Sequence, residues 1–222
     1  MRNNLIQNLR LCFVTNLKGD YANYAKIIQR SVLGGVTMVQ LREKHQNIDN
    51  IRTKALFVQS ILRPLGVPLI INDFVELAAE IGADGVHLGQ TDMDVIEARK
   101  LLGPDKIIGV SIESHADLHK ANQQPDISYV TASAVFLSRT KPNCKTIWGL
   151  DNLRQLAAES YHPITAIGGI KQHNAADVFA AGACGIAVIG AIQDAADPYR
   201  AAFELSACAK EYQSLNSIMY GR

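Results

Sequence analysis

The feature that most constrains the fold is a regular alternation of short apolar runs with longer amphipathic stretches along the 222 residues. Each apolar run has the length and composition of a buried parallel strand, which is apolar on both faces. The predicted strands are residues 11–15, 36–41, 68–71, 85–88, 107–110, 128–132, 163–167 and 185–189. Eight units of strand followed by helix predict an α/β fold, a single (β/α)8 TIM barrel.

The stretches between the strands place their apolar side chains at helical spacing. Four such faces are formed by Tyr21, Tyr24, Ala25 and Ile28; by Ile51, Ala55, Val58 and Leu62; by Phe74, Leu77, Ala78 and Ile81; and by Ala175, Val178, Phe179 and Gly182. Glycines follow the predicted helices at Gly34-Gly35, Gly66, Gly82 and Gly182. A left-handed residue commonly ends a helix, so these glycines support the predicted helix ends.

Two predicted helix-to-strand turns resemble each other, IGADGV at residues 81–86 and AGACGI at residues 181–186. We interpret them as one turn used at two places in a barrel, and treat residues 1–222 as a single domain. A doubly wound sheet is the alternative fold, but its first βα turn would normally carry GxGxxG, which residues 17–20 do not match. The long connection 133–148 is expected to be functional or mobile.

The net charge and composition argue against nucleic acid and membranes as partners. The formal net charge of +1 provides no overall field for nucleic acid or an anionic membrane, and no apolar run is long enough to span a bilayer. The four cysteines, Cys12, Cys144, Cys184 and Cys208, are far apart and match neither a zinc site nor a redox motif. Scattered thiols without a signal peptide favour a cytoplasmic protein.

Polar residues and glycines gather directly after the predicted strands, where TIM barrels carry their active sites. Arg42, Lys44 and Lys141 are cations that suit phosphate oxygens. Gly168-Gly169 and Gly190 follow the last two strands, where backbone N–H groups commonly bind phosphate. These residues form the rim at the C-terminal end of the predicted barrel. They predict two phosphate subsites, one lined by cations and one by backbone N–H groups.

Asp73 and Asp92 end successive predicted strands, so both carboxylates are expected to reach one cation. One or two carboxylates together with substrate phosphates is the usual protein site for Mg²⁺. The sequence contains no nucleophile elbow and no zinc-ligand spacing. The predicted site is thus suited to stabilising the charge of a leaving group rather than to nucleophilic attack.

In this order and at these strand ends, short segments resemble the thiamine-phosphate synthase family over about the whole chain. The matching segments are QLREK at residues 40–44, IND at 71–73, GADGVHLGQ at 82–90 with Asp92, IGVS at 108–111, Thr140-Lys141, and AIGGI at 166–170. The resemblance implies an enzyme that joins 4-amino-2-methyl-5-hydroxymethylpyrimidine diphosphate to hydroxyethylthiazole phosphate. The products would be thiamine phosphate and pyrophosphate, and assembly into a homo-oligomer stays open.

The resemblance also implies roles for individual residues. The implied ligands of the pyrimidine diphosphate are Gln40, Arg42, Lys44, Asn72, Ser111 and Lys141. Among these, Arg42, Lys44, Ser111 and Lys141 are the implied catalytic residues. Ser138 and Thr140, with the backbone of Gly169, Ile189 and Gly190, would bind the thiazole phosphate. Asp73 and Asp92 would hold Mg²⁺.

Several positions depart from the family pattern. The family commonly has Gly-Pro-hydrophobic-aromatic-Pro after the sixth strand, whereas residues 133–137 read SAVFL. Without the prolines we expect a looser segment that could shift Ser138, Thr140 and Lys141. Glu113 stands where the family often has His, Gly190 where it often has Ser, and Thr91 where an acidic residue is usual.

Other functions on the same barrel stay open at this point. A thiazole tautomerase or related isomerase would not need both Asp73 and Asp92, and a regulatory paralogue would bind thiazole phosphate without catalysis. A sugar-phosphate isomerase would need a base at a strand end, for which Glu43 is the only nearby candidate.

Simpler structural roles also compete with the functional ones. Asp73 and Asp92 could cap helices that begin at Phe74 and Met93. Arg42 and Lys44 could be solvated surface charges. Gly168-Gly169 could form only a tight turn, and His87 is expected to pack in the barrel mouth.

Overall fold

Eight parallel strands form a closed barrel in the computed structural model, paired in chain order, with the last strand returning to the first. The strands are β1 (Leu11–Thr15), β2 (Met38–Leu41), β3 (Leu69–Asn72), β4 (Gly85–Leu88), β5 (Ile107–Ile112), β6 (Tyr129–Ser133), β7 (Ile164–Ile167) and β8 (Gly185–Val188). The structure describes residues 2–15, 20–43, 46–138 and 145–220. The predicted (β/α)8 barrel is confirmed, and each predicted strand coincides with an observed one to within two residues at either end.

Helices alternate with the strands along the chain. They are α1 (Arg2–Leu9), α2 (Tyr21–Leu33), α3 (Ile48–Leu62), α4 (Val75–Ile81), α5 (Val95–Leu102), α6 (His115–Asn122), α7 (Gly149–Glu159), α8 (Gln172–Ala180), α9 (Gly190–Gln193) and α10 (Pro198–Tyr220). A short 3-10 turn, Arg63–Leu65, follows α3. Among the described helices, none combines the length and the apolar character needed to cross a membrane.

The alternation of side chains along each strand divides the apolar core into two parts. Leu11 and Phe13 of β1 belong to the larger part, between the barrel and the helices that surround it. Cys12 and Val14 of the same strand belong to a smaller cluster inside the barrel, with Met38. The two parts together leave the strands buried on both faces, as their composition predicted.

The repeated turn predicted from the sequence recurs in the structure. Gly82 and Gly182, at the ends of α4 and α8, both have positive φ, at 64° and 99°. The second glycine of each turn lies against neighbouring backbone. A Cβ on Gly85 would lie 2.1 Å from the carbonyl oxygen of Ile107, at the start of β5, and one on Gly185 would lie 1.8 Å from that of Leu9, at the end of α1. Since a side chain at either position would collide with backbone, both turns need glycine where two strands meet.

One side chain connects several loops at the N-terminal end of the barrel. The guanidinium of Arg99, in α5, donates to the carbonyl oxygens of Gly103, Lys106 and Asp126 at 2.8, 2.7 and 2.7 Å. Its planar fork of donors can satisfy these three carbonyls at once, which a lysine ammonium on a flexible stem cannot do with the same geometry. The connections before β5 and β6 are therefore joined to α5 at the end of the barrel opposite the rim.

We expect Arg99→Lys to lower the free energy of unfolding by about 1–3 kcal/mol, because at least one carbonyl loses its donor. Urea unfolding followed by circular dichroism would measure the change. Arg154→Lys is the matched control, since Arg154 is an exposed helical residue that pairs with nearby, exposed Asp151. Equal stability of the two variants would contradict a structural role for Arg99.

Candidate active site

A cavity of about 1050 Å³ opens at the C-terminal end of the barrel strands, where the sequence predicted the site. Every predicted site residue in the described part of the chain lines it: Gln40, Arg42, Asn72, Asp73, Asp92, Ser111, Ser138, Gly169, Ile189 and Gly190. Lys44, Thr140 and Lys141 lie outside the described residues. The strand ends thus bring together residues separated by up to 150 positions, although their roles stay predictions.

Gln40 and Asn72, at the ends of β2 and β3, are joined inside the cavity. The Gln40 amide donates to the Asn72 side-chain oxygen at 3.0 Å, and both side chains are buried. Because its oxygen is turned toward Gln40, the amide nitrogen of Asn72 is left to donate to a ligand. This arrangement suits an anion or a heterocyclic acceptor in the cavity.

Ser111, on β5, is held from two sides. Its hydroxyl oxygen lies 2.9 Å from Nε2 of His87, and its carbonyl oxygen accepts from the Gln90 side chain at 2.7 Å. His87 packs in the barrel mouth as predicted, where Nδ1 lies 3.0 Å from the hydroxyl of Tyr129. Tyr129, at the start of β6, is a cavity residue that the sequence analysis did not identify.

Asp73 does not cap α4, so the capping interpretation is wrong for this residue. The helix begins at Val75, and its N-cap residue is Phe74, which makes no side-chain cap hydrogen bond. Asp73 instead has φ at 66°, the one positive φ among the non-glycine residues that the structure describes. That conformation costs about 1–2 kcal/mol for a residue with a Cβ, and a cost of this kind is typical of functional positions.

Asp92 does not cap a helix either. The helix α5 begins at Val95, and its cap is Asp94, whose carboxylate accepts from the Ile96 N–H at 2.8 Å. One carboxylate oxygen of Asp92 accepts from the Gly89 N–H at 2.6 Å, which closes the turn after β4. The carboxylate is thereby oriented by the backbone while it faces the cavity.

The donor set fits a hard divalent cation. Asp73 and Asp92 are carboxylates that both line the cavity, and oxygen ligands are those that Mg²⁺ prefers. Within the described residues, no group of three or more His, Cys, Asp or Glu side chains is placed to hold a metal. Two carboxylates would therefore need oxygens from a bound ligand to complete the coordination.

The segment after β6 is not loose in the part that the structure describes, contrary to the expectation drawn from its missing prolines. The Val135 and Phe136 N–H groups donate to the carbonyls of Ile167 and Gly168 at 2.8 and 3.0 Å. Ala134 accepts from the Trp148 N–H at 2.9 Å, and the Val135 side chain is fully buried. The segment therefore extends the sheet alongside β7 and carries Ser138 to the cavity.

Gly168 and Gly169 are needed where this segment crosses the turn after β7. Both have positive φ, at 101° and 64°. A Cβ on Gly169 would lie 2.6 Å from the Leu137 carbonyl oxygen, and one on Gly168 would lie 2.3 Å from the Ala134 side chain. The two glycines therefore form a tight turn, and the turn also lines the cavity.

Glu43 is not placed to act as a base in the cavity. Its side chain is 2% exposed, and a carboxylate oxygen lies 2.6 Å from the Lys54 ammonium and 2.7 Å from the Gln46 amide nitrogen. It is absent from the cavity lining. The residue on which a sugar-phosphate isomerase would depend is therefore turned toward α3 instead.

Glu113 does line the cavity and is accompanied by a cation. Its carboxylate lies 4.0 Å from the ammonium of Lys145, which lines the same cavity. Lys145 was not identified from the sequence, because it lies far along the chain in the connection before α7. The pair offsets the negative charge that Glu113 brings to a site predicted to bind anions.

Among the described residues, the cysteine that lines the cavity, Cys12, is not a reactive thiol. Burial raises the pKa of Cys12 to about 12, despite a backbone hydrogen bond from Gln40 that lowers it. A thiol with such a pKa stays protonated at neutral pH and is a poor nucleophile. The cavity is therefore equipped to bind and orient anionic ligands rather than to form a covalent intermediate through Cys12.

Comparison with known proteins shows the family to which this barrel belongs. The family model described as thiamine monophosphate synthase matches residues 11–192. The chain belongs to this family. A thiamine-phosphate synthase of Vibrio campbellii is 45% identical over 189 residues, covering 85% of this chain and 92% of the relative. One from Chlamydia caviae is 46% identical over 175 residues, 79% of this chain and 82% of the relative.

A solved structure extends the likeness to three dimensions. The thiamine phosphate pyrophosphorylase from Pyrococcus furiosus superposes with a TM-score of 0.83 at 30% identity, covering 94% of this chain and 98% of that one. The match to the thiamine monophosphate synthase family includes all eight strands and the described cavity residues from Gln40 to Gly190. The departures at residues 133–137 thus lie within the part of the chain that the family model matches.

In this family member we expect Gly169→Ala to be less stable than Gly149→Ala by about 1–3 kcal/mol, the usual range for overpacking. Both glycines have φ at 64°, so both variants bear the same backbone strain, but a Cβ at Gly149 would meet nothing within 4 Å. Urea unfolding of the two variants would measure the difference. If they were equally stable, the contact between Gly169 and residues 136–137 would be looser than the structure has it.

Proposed function

We propose that this chain is an enzyme that condenses 4-amino-2-methyl-5-hydroxymethylpyrimidine diphosphate with hydroxyethylthiazole phosphate, giving thiamine phosphate and pyrophosphate. The observation that carries the proposal is the convergence of Arg42, Asn72, Ser111, Asp73 and Asp92 on one cavity. A cation, two neutral donors and two carboxylates are the groups that a magnesium diphosphate requires. Membership of the thiamine monophosphate synthase family supports the same substrates.

The chain's own residues would bind the diphosphate by charge and by donated hydrogen bonds. Arg42 lies at the end of β2 in the cavity, and its guanidinium can hold two phosphate oxygens. Lys44 and Lys141 are proposed as further cations on the basis of the sequence. Asn72 and Ser111 would donate to phosphate oxygens or to the pyrimidine, and Gln40 orients Asn72.

The reaction proposed is an ionisation followed by capture. The bond between the pyrimidine methylene carbon and the diphosphate oxygen breaks, and its electron pair leaves with pyrophosphate. The electron-rich aminopyrimidine stabilises the methylene cation, to which the thiazole nitrogen then bonds with its lone pair. No protein base is needed for these two steps, which is consistent with the buried ion pair of Glu43 and the protonated thiol of Cys12.

Asp73 and Asp92 are the residues that would hold Mg²⁺. When bound, the ion supplies positive charge beside the departing diphosphate oxygens. The backbone hydrogen bond from Gly89 to Asp92 keeps that carboxylate in place. Neither aspartate is the N-cap residue of the helix that follows it, and both line the cavity, which supports a ligand-binding role.

The thiazole phosphate is assigned to the opposite side of the cavity. The backbone of Gly169, Ile189 and Gly190 lines the cavity there, at the ends of β7 and β8, where phosphate sites commonly occur in this fold. Ser138 lines the cavity at the end of the segment after β6. The proposed contact of Thr140 with the same substrate rests on the sequence alone.

The alternative functions have less support. A thiazole tautomerase or a regulatory paralogue would not need two carboxylates facing the cavity, and both are present. We also propose that residues 1–222 act as one domain and that the enzyme works in the cytoplasm. No disulfide joins Cys12, Cys184 and Cys208, which fits a reducing compartment.

The deciding experiment measures pyrophosphate release from the pyrimidine diphosphate, with and without the thiazole phosphate and Mg²⁺. The proposal predicts release only when all three are present, with thiamine phosphate as the second product. Absence of release, together with binding of thiazole phosphate in the same preparation, would instead indicate the tautomerase or the regulatory paralogue.

We expect Arg42→Ala to lower kcat/KM for the pyrimidine diphosphate by roughly 100-fold, because a charge-assisted contact to the leaving group is lost. Steady-state pyrophosphate release would measure it. Arg154→Ala, at an exposed position on α7, is the control and should match the parent enzyme. Parent-like kinetics in Arg42→Ala would remove Arg42 from the diphosphate site.

We expect Asp92→Asn to raise the Mg²⁺ concentration needed for half-maximal activity by roughly tenfold or more, since a ligand carboxylate loses its charge. A Mg²⁺ titration of initial rates would measure the shift. Asp94→Asn is the matched control, because it removes a carboxylate two residues away and asparagine caps a helix about as well as aspartate. An unchanged titration in Asp92→Asn would exclude it as a metal ligand.

A further inference from the structure

A chain of hydrogen bonds runs inside the barrel from Tyr129 through His87 to Ser111. The Tyr129 hydroxyl lies 3.0 Å from Nδ1 of His87, and Nε2 of His87 lies 2.9 Å from the Ser111 hydroxyl oxygen. Tyr129 is 2% exposed and His87 is 7% exposed, whereas Ser111 faces the cavity. The chain therefore connects the barrel interior to a proposed substrate ligand.

The strand register explains how Tyr129 reaches a histidine two strands away. His87, Gly109 and Tyr129 are level with one another on β4, β5 and β6, so all three positions face the same side of the sheet. A Cβ on Gly109 would lie 2.2 Å from Cζ of Tyr129. Because Gly109 has no side chain, the tyrosine ring lies across it and places its hydroxyl at His87.

The direction of the hydrogen bonds follows from the chemistry of the buried phenol. Burial raises the pKa of Tyr129 well above its ordinary value, so the hydroxyl keeps its proton. Within the described part of the chain, His87 is the hydrogen-bond partner of that hydroxyl, and a buried O–H without an acceptor would be costly. Tyr129 therefore donates to Nδ1, which must be the unprotonated nitrogen of His87.

A neutral histidine with an unprotonated Nδ1 carries its hydrogen on Nε2. That nitrogen then donates to the Ser111 oxygen, which acts as the acceptor. The hydroxyl hydrogen of Ser111 cannot point back at His87 and is directed elsewhere. The cavity, which Ser111 lines, offers a bound ligand as its acceptor.

We propose that His87 and Tyr129 are positioning residues that turn the Ser111 hydroxyl into a fixed donor toward the diphosphate of the substrate. No proton is transferred along the chain, and each group keeps its own hydrogen throughout. The donor is then aligned before the substrate binds, so it stabilises the charge that develops as pyrophosphate departs without first having to reorient. This inference rests on the proposed function and adds two residues to its machinery.

The first test reads the tautomer of His87 without any catalysis. In ¹⁵N-labelled protein, long-range correlation of ring protons with ring nitrogens distinguishes a protonated nitrogen from an unprotonated one, and His87→Gln assigns the signals. We expect hydrogen on Nε2 in the parent protein and a mixture of tautomers in Tyr129→Phe. Hydrogen on Nδ1 in the parent protein would overturn the proposal.

The second test uses pyrophosphate release. We expect Tyr129→Phe to lower kcat by roughly tenfold, the effect of weakening one hydrogen bond to a charged group, with little change in KM. Tyr24→Phe is the matched control, since Tyr24 is equally buried but lies on α2, away from the cavity. Equal kcat in the two variants would overturn the proposal, and circular dichroism checks that both fold.

Combining Tyr129→Phe with Ser111→Ala tests whether Tyr129 acts by positioning Ser111 or only by packing in the barrel. If Tyr129 acts through Ser111, then adding Tyr129→Phe to Ser111→Ala should change kcat by less than about twofold, because the two effects are not independent. A full tenfold loss in that background would show that Tyr129 acts by another route. His87→Gln, whose amide can still donate to Ser111, should retain more activity than His87→Leu, and the reverse order would contradict the proposal.

Failure of the proposed function would be recognised separately. If the parent protein released no pyrophosphate, the tautomer measurement would still decide the direction of the hydrogen bonds. The affinity for inorganic pyrophosphate with Mg²⁺ would then replace kcat as the readout of Ser111. Weaker binding in both Ser111→Ala and Tyr129→Phe would support the proposal, and unchanged binding in both would overturn it.

Discussion

Pairing between β8 and β1 is the interaction on which the rest of the structure depends. Parallel strands in an open sheet would leave two edges with unsatisfied backbone groups, and closure removes both. Closure also turns eight strand ends into one ring around a shared cavity. Asp73 after β3 and Gly190 after β8 line the same cavity because the sheet returns on itself.

Inside this ring the polar side chains satisfy one another in pairs. Gln40 bonds to Asn72, the hydroxyls of Thr131 and Thr165 lie 2.7 Å apart, and His87 lies between Ser111 and Tyr129. Pairs of this kind hold each side chain in one orientation, which lowers the reorganisation required when a charged ligand binds. The barrel interior thus combines an apolar floor with a polar upper level that is oriented before substrate arrives.

The strands, the helices and the cavity rim could be predicted because each depends on local pattern: apolar runs, helical spacing, and polar residues at strand ends. The sequence-based predictions failed where contacts between distant parts of the chain decide which of several similar residues takes a role. Asp94 rather than Asp92 caps α5, because the Gly89 N–H engages Asp92 instead. Tyr129 was not identified as a cavity residue from the sequence. Its hydroxyl contacts His87 because Tyr129 is paired with Gly109 across β5 and β6, and this pairing is seen in the strand register. The segment after β6 was expected to be loose, but backbone hydrogen bonds to Ile167 and Gly168, at the end of β7, hold it in place.

The repeated helix-to-strand turn lies at the two places where one half of the barrel meets the other. Gly85 lies against the first residue of β5, and Gly185 lies against the residues just before β1. Each of the two pairings, β4 with β5 and β8 with β1, thus has a glycine that lies against neighbouring backbone. Closure of the barrel therefore depends on two positions that tolerate no side chain, one beside the start of β5 and one beside the segment that leads into β1.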